Sequence, residues 1–173
     1  MPNMKSEVWD VVVIGGGPAG MMAAGTAAQY GKKVLLIEKN DILGKKLLIT
    51  GGGRCNVTNA ELDNRKLLSK FKDADKFLFS AFNEWSVKDT LNFFHTRNLQ
   101  TKVEKELRVF PVTDKAESVW QVLVENMKKY NVKIISNNPV SGFVLEDKTI
   151  VAVKTKKGLI QGKSFILATG GTS

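Results

Sequence analysis

Three glycines at the spacing Gly15-x-Gly17-x-x-Gly20 stand between a β-branched run, Glu7–Ile14, and a compact stretch from Met21 to Ala28. Between a strand and a helix, this spacing can hold a diphosphate. Gly15 permits the tight turn, Gly17 lets the backbone approach the pyrophosphate without a Cβ in the way, and Gly20 allows close helix-to-strand packing. The anion then meets the N–H groups and positive dipole end of the helix. Pro18 suits the first helical turn, where a missing N–H costs nothing, and Ala19 follows it. Glu38, at the end of the next apolar run, can accept hydrogen bonds from ribose hydroxyls, and its carboxylate would repel a 2′-phosphate. FAD or NAD therefore fits better than NADP. The alternative is that the glycines only turn the chain; Ala24, Gly31 and Glu38 at the spacing of a dinucleotide fingerprint argue against it.

Gly51-Gly52-Gly53-Arg54-Cys55-Asn56 is a second candidate, because a glycine run exposes backbone N–H groups while Arg54 and Lys46 supply positive charge. A flexible surface turn explains the same residues equally well. Cys55 is the sole cysteine of the chain, so no disulfide relay or cysteine-rich metal site is available. A third signal is Ala168-Thr169-Gly170-Gly171 at the end of an apolar run, where open parallel sheets bind ligands. His95, the sole histidine, reads as a satisfied or exposed side chain. No Ser/His/Asp set or paired carboxylates point to a general acid or base.

The elements that must position these residues follow from periodicity. Glu7–Ile14, a helix from Pro18 capped at Gly31, and Lys33–Ile37 form a βαβ unit whose strands are expected to be parallel. Residues 40–59 read as a long functional loop, too glycine-rich for a stable helix. Apolar residues at helical spacing between Lys66 and Asn98 predict two or three short helices. Thr101–Val109 suits a hairpin, and Asp114 suits the cap of a helix from Lys115 to about Tyr130 that buries Val119, Trp120, Leu123 and Met127. A short strand, Val132–Ile135, is followed by a meander of Val140–Leu145, Thr149–Thr155 and Leu159–Gln161, and Ser164–Thr169 reads as a further buried strand.

The fold class is thus α/β: a Rossmann-like parallel sheet with a β-meander and a helical insertion. With 173 residues and 43% hydrophobic content, one domain over 1–173 with a real core is expected. No window approaches the roughly 20 apolar residues of a membrane helix, and no leader pattern is evident, so a cytoplasmic protein with no membrane association is expected. The net charge of +9 favours anionic partners, but the basic doublets are scattered and few aromatics interleave with them. Nucleic acid is therefore not the expected partner.

Taken together, Val11-Val12-Val13-Ile14-Gly15-Gly16-Gly17-Pro18-Ala19-Gly20, Glu38-Lys39, the stretch from Gly44 to Asn59 with Gly-Gly-Gly-Arg-Cys-Asn at its centre, Arg108–Ala116 and Ile166–Ser173 resemble the aminoacetone-oxidase-like (BaiN-type) family of bacterial FAD-dependent flavoproteins. The resemblance implies a two-dinucleotide-binding-domain type flavoprotein, with the ADP half of FAD on the βαβ unit. It places Glu38 on ribose and the Lys46–Asn56 loop, with Gly52, Gly53, Arg54 and Asn56, near the diphosphate and flavin. Val140 matches a position whose backbone meets adenine, and Ala168-Thr169-Gly170 a flavin-proximal motif. FAD is the implied cofactor, with NAD(P)H as candidate electron donor and a small molecule as substrate. Hydride chemistry would be the cofactor's own. Chains of this family continue further, so an N-terminal part of a longer architecture is expected, and a non-catalytic dinucleotide-binding fragment is the alternative.

Overall fold

The computed structural model describes residues 7–171. They divide into two compact units, one of residues up to 47 and from 123 onward, the other of residues 48–122.

The first unit is built on a six-stranded sheet, order β6-β2-β1-β9-β8-β7. β1 (Val8–Ile14), α1 (Pro18–Gln29) and β2 (Val34–Ile37) form the expected βαβ unit, with β1 and β2 parallel and Val11 level with Val34. β6 (Lys133–Ile135) lies parallel to β2 on its far side. The sequence dictates burial on both faces: all of Val34 to Ile37 are at most 2% exposed, as a parallel strand covered on each side requires. Alternation sends Val12, Ile14, Leu35 and Ile37 into one cluster with Val153, against which Trp9, Ile135, Val140, Ile160 and Phe165 pack. α1 packs against β1, β2 and β9, burying Met21, Ala24 and Ala28. Gly31, at φ +74°, follows the helix end, as its type predicts.

The meander forms as expected from β7 (Val140–Glu146), β8 (Thr149–Thr155) and β9 (Gly158–Leu167), but its last strand differs from the sequence reading. Leu159–Gln161 and Ser164–Thr169 are not separate strands. One strand, β9, pairs antiparallel with β8 through Gly158–Gln161 and parallel with β1 through Gln161–Leu167. Gly162 is no turn: a Cβ there would lie 2.7 Å from Val12 Cγ2, so glycine is needed for close strand approach. The meander and the Rossmann strands are consequently one sheet.

The second unit holds a three-stranded sheet, order β3-β5-β4, of Thr58–Asn59, Arg108–Pro111 and Thr101–Val103. The predicted hairpin is β4 with β5; β3, just two residues long, carries no alternation by which to recognise it. Three short helices follow β3: α3 (Asn64–Leu68), α4 (Asp75–Glu84) and α5 (Val87–His95). α5 starts at a capping box of Ser86 and Asp89, which satisfies end N–H groups reciprocally.

Two further expectations are corrected. Residues 40–59 are not all loop, because Lys45–Ile49 is helical, the start of α2 (Lys45–Gly53); the six residues without glycine between Gly44 and Gly51 suffice for a turn. The backbone leaves the helix at Thr50 (ψ 149°) and turns left-handed at Gly51 and Gly52, where glycine escapes the Cβ penalty. Asp114 does not cap the following helix, α6 (Ala116–Lys129). It stands one residue too early, at φ +52°, and its carboxylate is taken by Lys102 and Arg54. α6 buries Val119, Leu123 and Met127 as expected, with Trp120 half-buried.

Candidate nucleotide site

At the carboxyl end of β1 the chain turns through Gly15, whose φ of +107° is open to glycine alone among L-residues at low cost. A Cβ on Gly20 would collide with the Gly15 carbonyl oxygen and one on Gly15 with that of Ala168. The turn is therefore packed against both the helix and the end of β9, where the Ala168 N–H donates to the Ile14 carbonyl at 2.8 Å. Gly17 differs, since nothing lies within 4 Å of where its Cβ would be. It caps α1 without any side-chain bond, and the first turn carries no acidic residue. Pro18 and Ala19 are exposed there. The helix end is thus open and electropositive, as an anion requires.

Glu38 is 6% exposed and tied down on both oxygens. Oε2 accepts the Gly16 N–H at 2.6 Å, and Oε1 accepts the Asn40 N–H and Nδ2 at 2.8 and 2.6 Å. Its backbone donates to Ile135 and accepts from Asn138, extending the β2–β6 pairing. Three bonds on a group with about four lone-pair sites leave capacity for one more donor. Lys39 beside it is exposed.

These residues surround a cavity of about 140 Å³ lined by Ile14, Gly15, Ile37, Glu38, Lys39, Asn138, Pro139, Val140 and Thr169. The structure therefore brings together Gly15, Glu38, Lys39, Val140 and Thr169 of the sequence-derived residues, with Gly17, Pro18, Ala19 and Gly20 continuing from the turn. Gly170 is exposed at φ +77°, while Thr172 and Ser173 lie outside the described residues. Asn40, Asn138 and Pro139 are absent from the sequence reading. Their signal was the Asn137-Asn138-Pro139 run directly before Val140, whose meaning depends on β6 lying beside β2.

Lys46 is exposed on α2. Gly52, Gly53, Arg54 and Asn56 belong to the second unit. There Arg54 does not stand as an uncompensated cation: it forks onto Glu104 at 3.1 and 2.8 Å, reaches Asp114 at 3.2 Å, and lies 4.1 Å over the Phe110 ring. The Arg54 hydrogen bond holds the Glu104 carboxyl below its ordinary value, and the Lys102 hydrogen bond does the same for Asp114. Cys55 is buried, at φ +60°; burial pushes its thiol up, against a smaller opposing effect of Thr50. A raised thiol is a poor nucleophile at neutral pH. His95 Nε2 pairs with Thr101 Oγ1 at 2.8 Å. Among the described residues no cluster of three His, Cys, Asp or Glu could hold a metal, and no helix is long and apolar enough to cross a membrane.

The chain is 31% identical over 167 residues to the ribosomal RNA dihydrouridine synthase of Escherichia coli, covering 96% of this chain and 40% of that one. It is 32% identical over 162 residues to the 3-dehydro-bile acid delta(4,6)-reductase of Clostridium scindens, covering 92% and 38%. The chain thus spans about two fifths of the length of the curated relatives it matches. Among solved structures, the 3-ketosteroid-delta4-(5alpha)-dehydrogenase of Rhodococcus jostii superposes with a TM-score of 0.73 at 20% identity, over 98% of this chain and 47% of that one. That likeness establishes the α/β Rossmann fold. Residues 9–173 match the HI0933-like protein Rossmann domain, and with the glycine turn, the buried Glu38 and the Gly-Gly-Gly-Arg-Cys-Asn segment all in place, the chain belongs to that family.

Proposed function

We propose that this chain forms the FAD-binding part of a flavin-dependent oxidoreductase that passes hydride through bound FAD, with reduced nicotinamide as donor and a small molecule as substrate. The observation that carries this reading is a cavity lined by the buried carboxylate Glu38 and by Gly15, the turn glycine that leads two residues on to the open helix N-terminus at Gly17. The residues fit the cofactor: the helix end receives diphosphate, and the remaining lone-pair capacity of Glu38 receives a ribose hydroxyl. When bound, FAD supplies the two-electron chemistry, and the protein supplies binding, orientation and electrostatics.

Gly15 and Gly20 hold the turn against the sheet, and Gly17 leaves room for phosphate oxygens. Asn40 and the Gly16 N–H keep the Glu38 carboxylate fixed before ligand arrives. Lys39 and Lys46 add positive charge, and Val140 lines the base end of the cavity. The charge of Arg54 is met by Glu104 and Asp114, so in this reading it fixes the loop carrying Gly52, Gly53 and Asn56 instead of neutralising phosphate. Thr169, between Ala168 and Gly170, lines the cavity with Gly15. No residue is assigned a proton-transfer role.

The test is an absorbance spectrum of the purified chain after FAD is added and the excess removed. A retained, protein-perturbed flavin spectrum, bleached by reduced nicotinamide, is expected. A retained flavin that no reductant bleaches favours a non-catalytic dinucleotide-binding module, and a colourless protein overturns the reading. A second reading, with RNA as the substrate, is favoured by the +9 charge and by the relative named for ribosomal RNA.

A further inference from the structure

The helical part of the second unit carries charge and rings that the nucleotide site does not use. Residues 64–76 hold five cations, Arg65, Lys66, Lys70, Lys72 and Lys76, against the carboxylates of Asp73 and Asp75, so a third of the net charge of +9 falls on this short stretch. All five cations are exposed. Among the described residues none of them is paired with a carboxylate, whereas Arg54 and Lys102 of the same unit both are. Unmatched charge of one sign on one surface attracts a polyanion.

A cleft gives that charge a place. Arg65 and Leu68 stand three residues apart on α3, and Lys76 and Phe79 three apart on α4. Each helix therefore presents one cation and one apolar side chain on the same side. These four, with Ser69 and Asp75, line a cavity of about 310 Å³. Leu68 is buried at its base, while the Phe79 ring is 41% exposed. Ser69 Oγ donates to the Lys66 carbonyl at 2.8 Å. Asp75 Oδ1 accepts the Lys76 N–H at 2.6 Å, and its Oδ2 has no partner among the described residues.

The lining fixes the ligand chemistry. Two cations call for anionic groups, the exposed ring for a flat face, and the spare carboxylate oxygen for a hydroxyl donor. A nucleotide within an RNA strand has all three: a phosphate on each side, a base and a ribose 2′-hydroxyl. The volume lies at the lower end of the roughly 300–1,000 Å³ of small-molecule sites, so it takes one nucleotide. Lys66, Lys70 and Lys72, outside the cleft, call for an anion that continues beyond it, which a free nucleotide does not. A duplex keeps its bases stacked and offers no face to the ring. A membrane would need one apolar helix face, but Phe77, 85% exposed, is two residues from Phe79 and projects from a different side of α4.

We propose that the cleft between α3 and α4 binds one nucleotide of single-stranded RNA, its base on the Phe79 ring, its flanking phosphates on Arg65 and Lys76, and its 2′-hydroxyl on Asp75. The proposal rests on the RNA reading of the function and adds the place of contact to it. Stacking of this kind tolerates any base. The scattered lysines elsewhere draw the strand in, and the cleft holds it without reading its sequence.

The test is fluorescence anisotropy of the 173-residue chain with labelled oligouridylate and oligodeoxyuridylate, which differ only in the 2′-hydroxyl. The wild-type chain is expected to bind the RNA several-fold more tightly, and Asp75→Ala to bring the two affinities together. Phe79→Ala is expected to weaken RNA binding roughly tenfold, the scale of one stacked base, and Phe79→Trp to restore it. Arg65→Met with Lys76→Met is expected to lower the slope of log affinity against log salt by about 1.4, two phosphates at about 0.7 each on a single strand. Lys156→Met with Lys157→Met, at a turn of the meander, is expected to change affinity far less.

Equal binding of the two oligomers by the wild-type chain overturns the proposal without any variant having to fold. Equal losses in the two double variants reveal a diffuse field alone and also overturn it, as does an unchanged affinity of Phe79→Ala; each of these leaves the RNA reading intact. Failure of the wild-type chain to bind either oligomer at low salt overturns the proposal and the RNA reading together.

Discussion

Gly17 and Gly20 sit three residues apart and answer to different constraints. A Cβ at Gly20 meets the Gly15 carbonyl oxygen, a backbone atom that cannot yield, whereas one at Gly17 meets nothing within 4 Å, at an unstrained φ of −73°. Gly20→Ala is therefore expected to destabilise the fold by at least about 1–3 kcal/mol, the range of overpacked interiors. Gly17→Ala is expected to lose no more than about 1 kcal/mol, the difference between glycine and alanine at a helix cap. Its damage should appear instead as weakened FAD or ADP binding, because the methyl group occupies the phosphate approach. Urea unfolding and nucleotide titration of both variants separate the effects; an unfolded Gly17→Ala chain or an undamaged Gly20→Ala chain would contradict the assignment. Asn138 shows the limit of single-residue reading, since nothing in an isolated Asn-Asn-Pro run distinguishes an exposed turn from an unpaired amide on a cavity wall.

At the scale of elements, the second unit is held partly by charge. Arg54 before β3, Glu104 after β4 and Asp114 after β5 form one ion-pair group with Lys102 of β4. Both carboxyls are held below their ordinary values in the folded chain. Groups depressed in this way stabilise the fold fully above the unfolded-state value and lose that contribution as pH falls through the folded one. Resistance to urea is accordingly expected to decline on acidification below about pH 4, the unperturbed carboxylate range. Arg54→Met should flatten part of that decline, leaving what comes from Asp10 and Asp89, which are also depressed, by Lys163 and by Ser86. Urea midpoints across acidic pH check this, and an identical pH profile in the variant would show that the group contributes nothing to stability. These partners, 50 and 60 residues from Arg54, have no local signature, which is why the sequence suggests an uncompensated cation at that position.

At the scale of the whole molecule, the excess of positive charge decides how the chain meets polyanions. Lys32-Lys33, Lys45-Lys46, Lys128-Lys129 and Lys156-Lys157 are spread along the chain, so a diffuse field is expected in place of a reading surface. Under the RNA reading, fluorescence anisotropy with a structured RNA should show binding at low salt that weakens steeply with ionic strength, in proportion to the phosphates neutralised. Absence of binding at low salt removes that reading and leaves a small molecule as the substrate class.

The sequence by itself determined the βαβ unit, the glycine turn and Glu38 at the end of β2, because these depend on spacings within about thirty residues, where backbone sterics and hydrophobic period act locally. It determined the family as well, through Gly-Gly-Gly-Arg-Cys-Asn and the motifs around it. Tertiary structure alone decided that Gly162 lies inside a strand, because the decisive contact is with Val12 across the sheet. It alone decided that Arg54 is neutralised, and that Asn138 lies beside Glu38 on the wall of a cavity. Each of these facts rests on which strands lie side by side, a property of the long-range pairing β6-β2-β1-β9 that no short window of residues contains.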